Sequence, residues 1–108
     1  MARFTVAFSR SAQAETDRIK VFDRRRVLGE IRANLLDQPN VESRNRKLLG
    51  DGLTTDFEYV PPLWELRVGE YRVAYEVNEV KRAVRICAVR HKPPHRTTAE
   101  VFNEKNDR

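Results

Sequence analysis

The chain has 108 residues, 40% hydrophobic and 34% charged, with 21 lysines and arginines against 16 acids and a formal net charge of +5. That length leaves room for one domain and no second; it buries roughly 65% of the unfolded surface without metal or disulfide help, and the composition excludes global disorder. The positive balance favours a polyanionic partner, nucleic acid or an acidic protein segment, with simple solubility as the plainer explanation.

The opening stretch MARFTVAFSRSAQAE is too short and broken for a signal peptide, and no apolar run approaches the ~20 residues that cross a bilayer. A cytoplasmic protein without a membrane partner is expected. Phe4, Val6 and Phe8 alternate with Arg3, Thr5 and Ala7, the period of a half-buried strand. Ser11 is placed to cap a helix to about Phe22, with Ala12, Ile19 and Phe22 near one face. Asp23 can cap a second helix to about Asp37, whose stripe is Val27, Leu28, Ile31, Leu35 and Leu36. Its other face carries Arg24, Arg25, Glu30 and Arg32, most simply a solvated surface, and Pro39 ends it. From Val41 to Pro62 the pattern is irregular, a long loop anchored by Leu48 and Leu49 with DFEYV as a candidate short strand.

LWELRV, EYRVAYEV and AVRICAVR are alternating runs separated by Gly69 and by Asn78 to Lys81, which predicts an antiparallel meander of two hairpins. One face collects Trp64, Leu66, Val68, Tyr71, Val73, Tyr75, Val77, Val84, Ile86 and Ala88; the other collects Leu63, Glu65, Arg67, Arg72, Ala74, Glu76, Arg85, Cys87 and Val89. The apolar face is expected to receive the helices, so Trp64, Tyr71 and Tyr75 read as core rather than as base-stacking platforms. The opposite face, left uncovered, is where chemistry is expected. Cys87, the sole cysteine, excludes an internal disulfide, suits a reducing compartment and reads as a structural strand residue. With the first strand returning to the sheet edge, the fold class is α+β, two-layer: an N-terminal strand and helical hairpin packed on an antiparallel β-meander. The polar residues from Asn103 to Arg108 are expected to fray.

The string LWELRVGEYRVAYEV followed by VRICAVRHK resembles the core of the RelE/ParE superfamily of bacterial toxins: a strand ending in Leu-Arg, a glycine-containing turn, Y-R-V-x-Y and a last strand ending near His-Arg or His-Lys. The N-terminal strand, the helix pair and KLLG at Lys47 to Gly50 match in order, so the resemblance spans roughly Phe4 to Phe102 as a single RelE-like toxin domain over residues 1–108. It implies a type II toxin neutralised by a cognate antitoxin whose extended or helical segment wraps it. RelE-like members cut messenger RNA, usually in the ribosomal A site; ParE-like members inhibit DNA gyrase and share the fold without a nuclease site. Shape does not choose between them.

Metal-free, cofactor-free RNA cleavage needs a base for the 2′-hydroxyl, cations for the charged phosphorane and an acid for the leaving oxygen. Arg72 matches the arginine of the family's Tyr-Arg pair and is the expected phosphate clamp, with Arg67 beside it. His91 and Lys92 match the end of the last strand, the first to exchange protons and the second to stabilise charge, unless His91 is a packing residue. Glu65 can be the base or an ion-pair partner. Arg85, Arg90, His95 and Arg96 are the expected RNA-binding residues, with His95 and Arg96 swinging back over the sheet on the lengthened segment PPHRTTA. Two departures count against a nuclease: Leu63 and Glu65 stand where RelE members carry lysines, and Phe102 where they carry a tyrosine. The expected function is a metal-independent, ribosome-associated endoribonuclease cleaving mRNA; the alternatives are a gyrase inhibitor without nuclease activity or an inactive binding module.

Overall fold

The computed structural model describes residues 3–50 and 52–104; the end of the tail expected to fray, 105–108, lies outside the described residues. In chain order the elements are β1 (Thr5–Phe8), α1 (Arg10–Asp17), α2 (Val21–Leu35), β2 (Arg46–Leu48), β3 (Trp64–Val68), β4 (Tyr71–Asn78), β5 (Ala83–His91) and α3 (Thr98–Val101). The sheet has five strands in the order β1-β5-β4-β3-β2. The β3–β4–β5 meander is antiparallel as expected, and β1 returns to the edge parallel to β5. The fold is therefore α+β, and no helix among the described residues is long and apolar enough to cross a membrane.

The helix boundaries differ from the sequence reading. Ser9, not Ser11, caps α1: its Oγ accepts the Ala12 N–H at 3.1 Å. The chain then turns after Asp17 and restarts at Val21, so the periodicity is broken between the helices. Ile19 packs against the core from that turn, whereas Phe22, expected on the buried face, is 81% exposed. Asp23 lies inside the first turn of α2, where its charge suits the positive end of the helix, rather than at the cap. Within 41–62 the strand is not DFEYV but β2, held by its ladder to β3 and by Arg46, whose Nε donates to the Val41 carbonyl at 2.8 Å.

The helix-facing core follows the alternation closely: Trp64, Leu66, Val73 and Tyr75 meet Val27, Ile31 and Leu35. Trp64 and Tyr75 stack with centroids 6.1 Å apart, and the buried Tyr75 hydroxyl donates to the Pro39 carbonyl at 2.7 Å. The other face is not open. Leu63, Ala74, Cys87, Ala88, Val101 and Phe102 form a second core, roofed by Leu49, Leu53, Phe57 and Tyr59. The long irregular segment and α3 thus cover the side of the sheet expected to face solvent.

One register change decides where the last residues of β5 point. Tyr75 pairs with Ile86 but Ala74 pairs with Ala88, so Cys87 is an extra residue, a β-bulge. Side chains beyond a one-residue insertion change faces. Val89, expected on the far side, packs in the helix-facing core, and Ala88 does the reverse. Tyr75→Phe should leave the Pro39 carbonyl without its donor and cost about 1–3 kcal/mol in urea unfolding; unchanged stability would contradict the bond.

Candidate functional site

On the far face, three arginines stand opposite one another on adjacent strands: Arg67 pairs with Arg72, and Arg72 with Arg90. Like charges directly across a sheet repel, so each must be compensated. Glu65, fully buried, sits beneath the first two, with its carboxylate 3.2 Å from Arg67 Nε and 3.5 Å from Arg72 Nε. Its remaining demand is met by Thr98 of α3, whose hydroxyl donates to Oε1 at 2.7 Å. Glu65 is therefore an ion-pair partner of Arg67 and Arg72.

Arg72 is mostly buried, and its Nη1 donates to the carbonyls of Gly69 and Tyr71, each at 2.8 Å. Burial lowers its guanidinium pKa and Arg67 adds to that, while Glu65 pulls it back. Its Nε has no hydrogen-bond partner and leans on Glu65 only by charge. Arg67, 44% exposed, is the member of the row that reaches solvent.

Arg90, expected to bind RNA, is instead a buried hub. Its Nε donates to Glu15 at 2.8 Å, Nη1 and Nη2 grip Asp56 at 2.8 and 2.7 Å, and Nη1 also donates to the Val101 carbonyl at 2.9 Å. Burial works against the charged form, but the hydrogen bonds Arg90 donates to Asp56 and the charge of Glu15 outweigh it, leaving the pKa raised.

His91 corrects the central expectation. The bulge turns it to the helix-facing side, where its ring meets Tyr71 edge-on with centroids 5.5 Å apart and its Nε2 lies 2.9 Å from Glu70 Oε1. Arg72 and His91 are thus on opposite faces of the sheet. His91 lines a cleft of about 660 Å³ with Arg18, Lys20, Asp23, Tyr71 and Arg96. Arg96, expected over the sheet, lines this cleft on the helix side, with its Nη2 3.5 Å from the Glu100 carbonyl, and His95 is exposed in the preceding turn. Lys92 follows β5 and is tied by its backbone N–H to Glu70. Arg85 pairs with Glu76 at 3.3 Å, farther along the far face.

Three groups organising this region escaped the sequence reading: Glu15, Asp56 and Thr98. Only the last had a local signal. Thr97 to Glu100 fits the pattern of a capping box, and the structure forms it, with Glu100 Oε1 accepting the Thr97 N–H at 2.7 Å. The N–H and hydroxyl of Thr97 hold the Glu100 carboxyl below its ordinary range.

Cys87 is the structural residue expected. Burial, aided by the nearby Glu76 carboxylate, pushes its thiol up from 9.0 to about 12. Below pH 9 the thiol is neutral whether folded or unfolded; above it only the unfolded thiol ionises, so this group removes stability as pH rises from 9 towards 12. The native thiol should resist iodoacetamide at pH 8 and react once urea unfolds the chain. Arg90→Met should cost about 3–5 kcal/mol by stranding buried carboxylates, against about 1 kcal/mol or less for Arg67→Ala; equal losses in urea unfolding would refute the hub.

A family model described as the ParE toxin of the type II toxin–antitoxin system, parDE, matches residues 6–92. Among solved structures, a chain of the archaeal RelE–RelB complex from Pyrococcus horikoshii OT3 is 26% identical, with a TM-score of 0.64 over 90% of this chain and 100% of that one. A chain of the toxin–antitoxin complex RelBE2 from Mycobacterium tuberculosis shares the fold at 21% identity, with a TM-score of 0.61 over 83% of this chain and 99% of that one. No curated protein matches the chain significantly.

Proposed function

Because this chain belongs to the ParE toxin family of type II toxin–antitoxin systems, we propose that it arrests growth by binding a protein target, DNA gyrase, rather than by cutting RNA. A cognate antitoxin is the partner that neutralises it, in keeping with the toxin–antitoxin complexes among its structural neighbours. One observation carries this choice: the groups a nuclease would use do not converge. Arg72 and His91 occupy opposite faces, and Glu65, whose carboxylate lies 3.5 Å from Arg72 Nε, is buried and accepts from Thr98 of α3. A base must come within hydrogen-bond reach of the proton it takes. Gyrase inhibition is the activity that the family resemblance attaches to members without a nuclease site.

The alternative, a ribosome-associated endoribonuclease cutting mRNA, draws support from Arg67 at the surface and from the orphan Nε of Arg72, cations that would suit a phosphate. Both targets lie in the cytoplasm, the compartment expected for the chain.

Inducible expression with pulse labelling separates the two readings. DNA synthesis is expected to fall first, with messages intact and supercoiling by purified gyrase inhibited; cut messages beside normal supercoiling would reverse the choice. His91→Gln should leave growth arrest unchanged, whereas a nuclease using that imidazole would lose about 10²- to 10⁴-fold in cleavage rate.

A further inference from the structure

The side of α2 turned away from the sheet carries charge of one sign. With ~3.6 residues per turn, Phe22, Arg25, Arg26, Gly29, Arg32 and Ala33 fall together on the helix, opposite the buried Val27, Ile31 and Leu35, and all six are exposed. Arg25, Arg26 and Arg32 form no ion pair among the described residues. The two acids of α2 are held off this face. Both are half-buried on its flank, where Asp23 accepts from the Tyr71 hydroxyl at 3.3 Å and Glu30 from the Asn34 amide at 3.3 Å.

Two residues of the face have no packing role. Phe22 is 81% exposed. Gly29 stands mid-helix, where glycine is destabilising relative to alanine, yet a Cβ there would meet nothing within 4 Å. The protein's own interior therefore gives no reason for a glycine at 29, whereas a body laid against the helix does. Gly29 and Ala33 run along the middle of the face as a shallow channel, with Arg25 and Arg32 on one side and Arg26 on the other. A row of phosphates suits this shape, since a narrow polyanion can approach the helix backbone while guanidinium forks take its oxygens from both sides. Contacts of that kind are made to the backbone of a nucleic acid and are independent of its sequence.

We propose that the outer face of α2 binds the sugar–phosphate backbone of double-helical DNA. Arg25 and Arg32 hold phosphates on one side of the channel and Arg26 on the other, and the Phe22 ring packs on a deoxyribose at its end. The choice of DNA as the polyanion rests on the function proposed above, because gyrase holds DNA and a toxin bound to it lies beside that DNA; the cationic channel itself does not.

Fluorescence polarisation of a short labelled DNA duplex, titrated with the full chain, tests it. Binding should weaken steeply with salt, and Arg25→Ala should reduce the slope of log affinity against log salt by about one. Gly29→Leu is the sharper probe. As a better helix former it should raise the midpoint of urea unfolding, yet weaken DNA binding by about fivefold or more, because its side chain fills the channel; a purely structural role for position 29 would move stability without moving affinity. No binding at low salt, a salt slope unchanged by Arg25→Ala, or affinity untouched by Gly29→Leu overturns the proposal. So does competition by polyglutamate equal to that of unlabelled duplex, which points to an acidic protein, or a preference for an RNA duplex of the same length. A supercoiling assay separates this idea from the target proposed above. Gyrase inhibited by a toxin that binds no DNA sinks the DNA face alone; DNA bound while gyrase runs normally keeps the face and sinks the gyrase reading.

Discussion

A single guanidinium holds the layers of this protein together. Arg90, on β5, receives Glu15 from α1 on one side and Asp56 from the covering segment on the other, and it donates to the last turn of α3 through the Val101 carbonyl. Burying such an ion is costly unless every donor is directed at an acceptor. Here the paired grip on Asp56 and the contact with Glu15 meet that condition, and the Phe57 ring lies 5.5 Å from the cation. The segment over the far face and α3 are therefore fixed parts of the fold, which is why the second core can close.

That closure changes what the chain's positive charge does. The arginine row looks, in one dimension, like an electrostatic surface for a polyanion, but Glu65, Asp56 and Glu15 neutralise it from within. Part of what remains outward lies on α2 and at the end of β1, where Arg10, Arg25 and Arg32 are exposed.

Much of this was legible in the sequence. Alternation over 63–77 placed Trp64, Leu66, Val73 and Tyr75 correctly because each is a period-two position on an uninterrupted strand, and the helix pair was visible from its apolar stripe. The failures have physical causes. The turn after Asp17 resets the helical phase without a proline or glycine to mark it, so Phe22 was put on the wrong face. Asp56 is one acid in an irregular loop, and its partner is 34 residues away, a pairing that no local pattern encodes. The far face looked open because the segments that cover it carry their apolar residues singly or in short pairs, as Leu53, Phe57 and the pair Val101 and Phe102.

The surplus residue at Cys87 has its own consequence for how this chain is read beside others. Every position from Ala88 to His91 faces the side opposite to the one that counting from Val84 would give. A relative whose final strand ran straight would align with this one letter for letter, yet its histidine and arginine would look in the reverse directions. Roles borrowed across such an alignment would land on the wrong surface. Parity along the strand, more than the identity of the amino acid, has to be matched before any function is carried over.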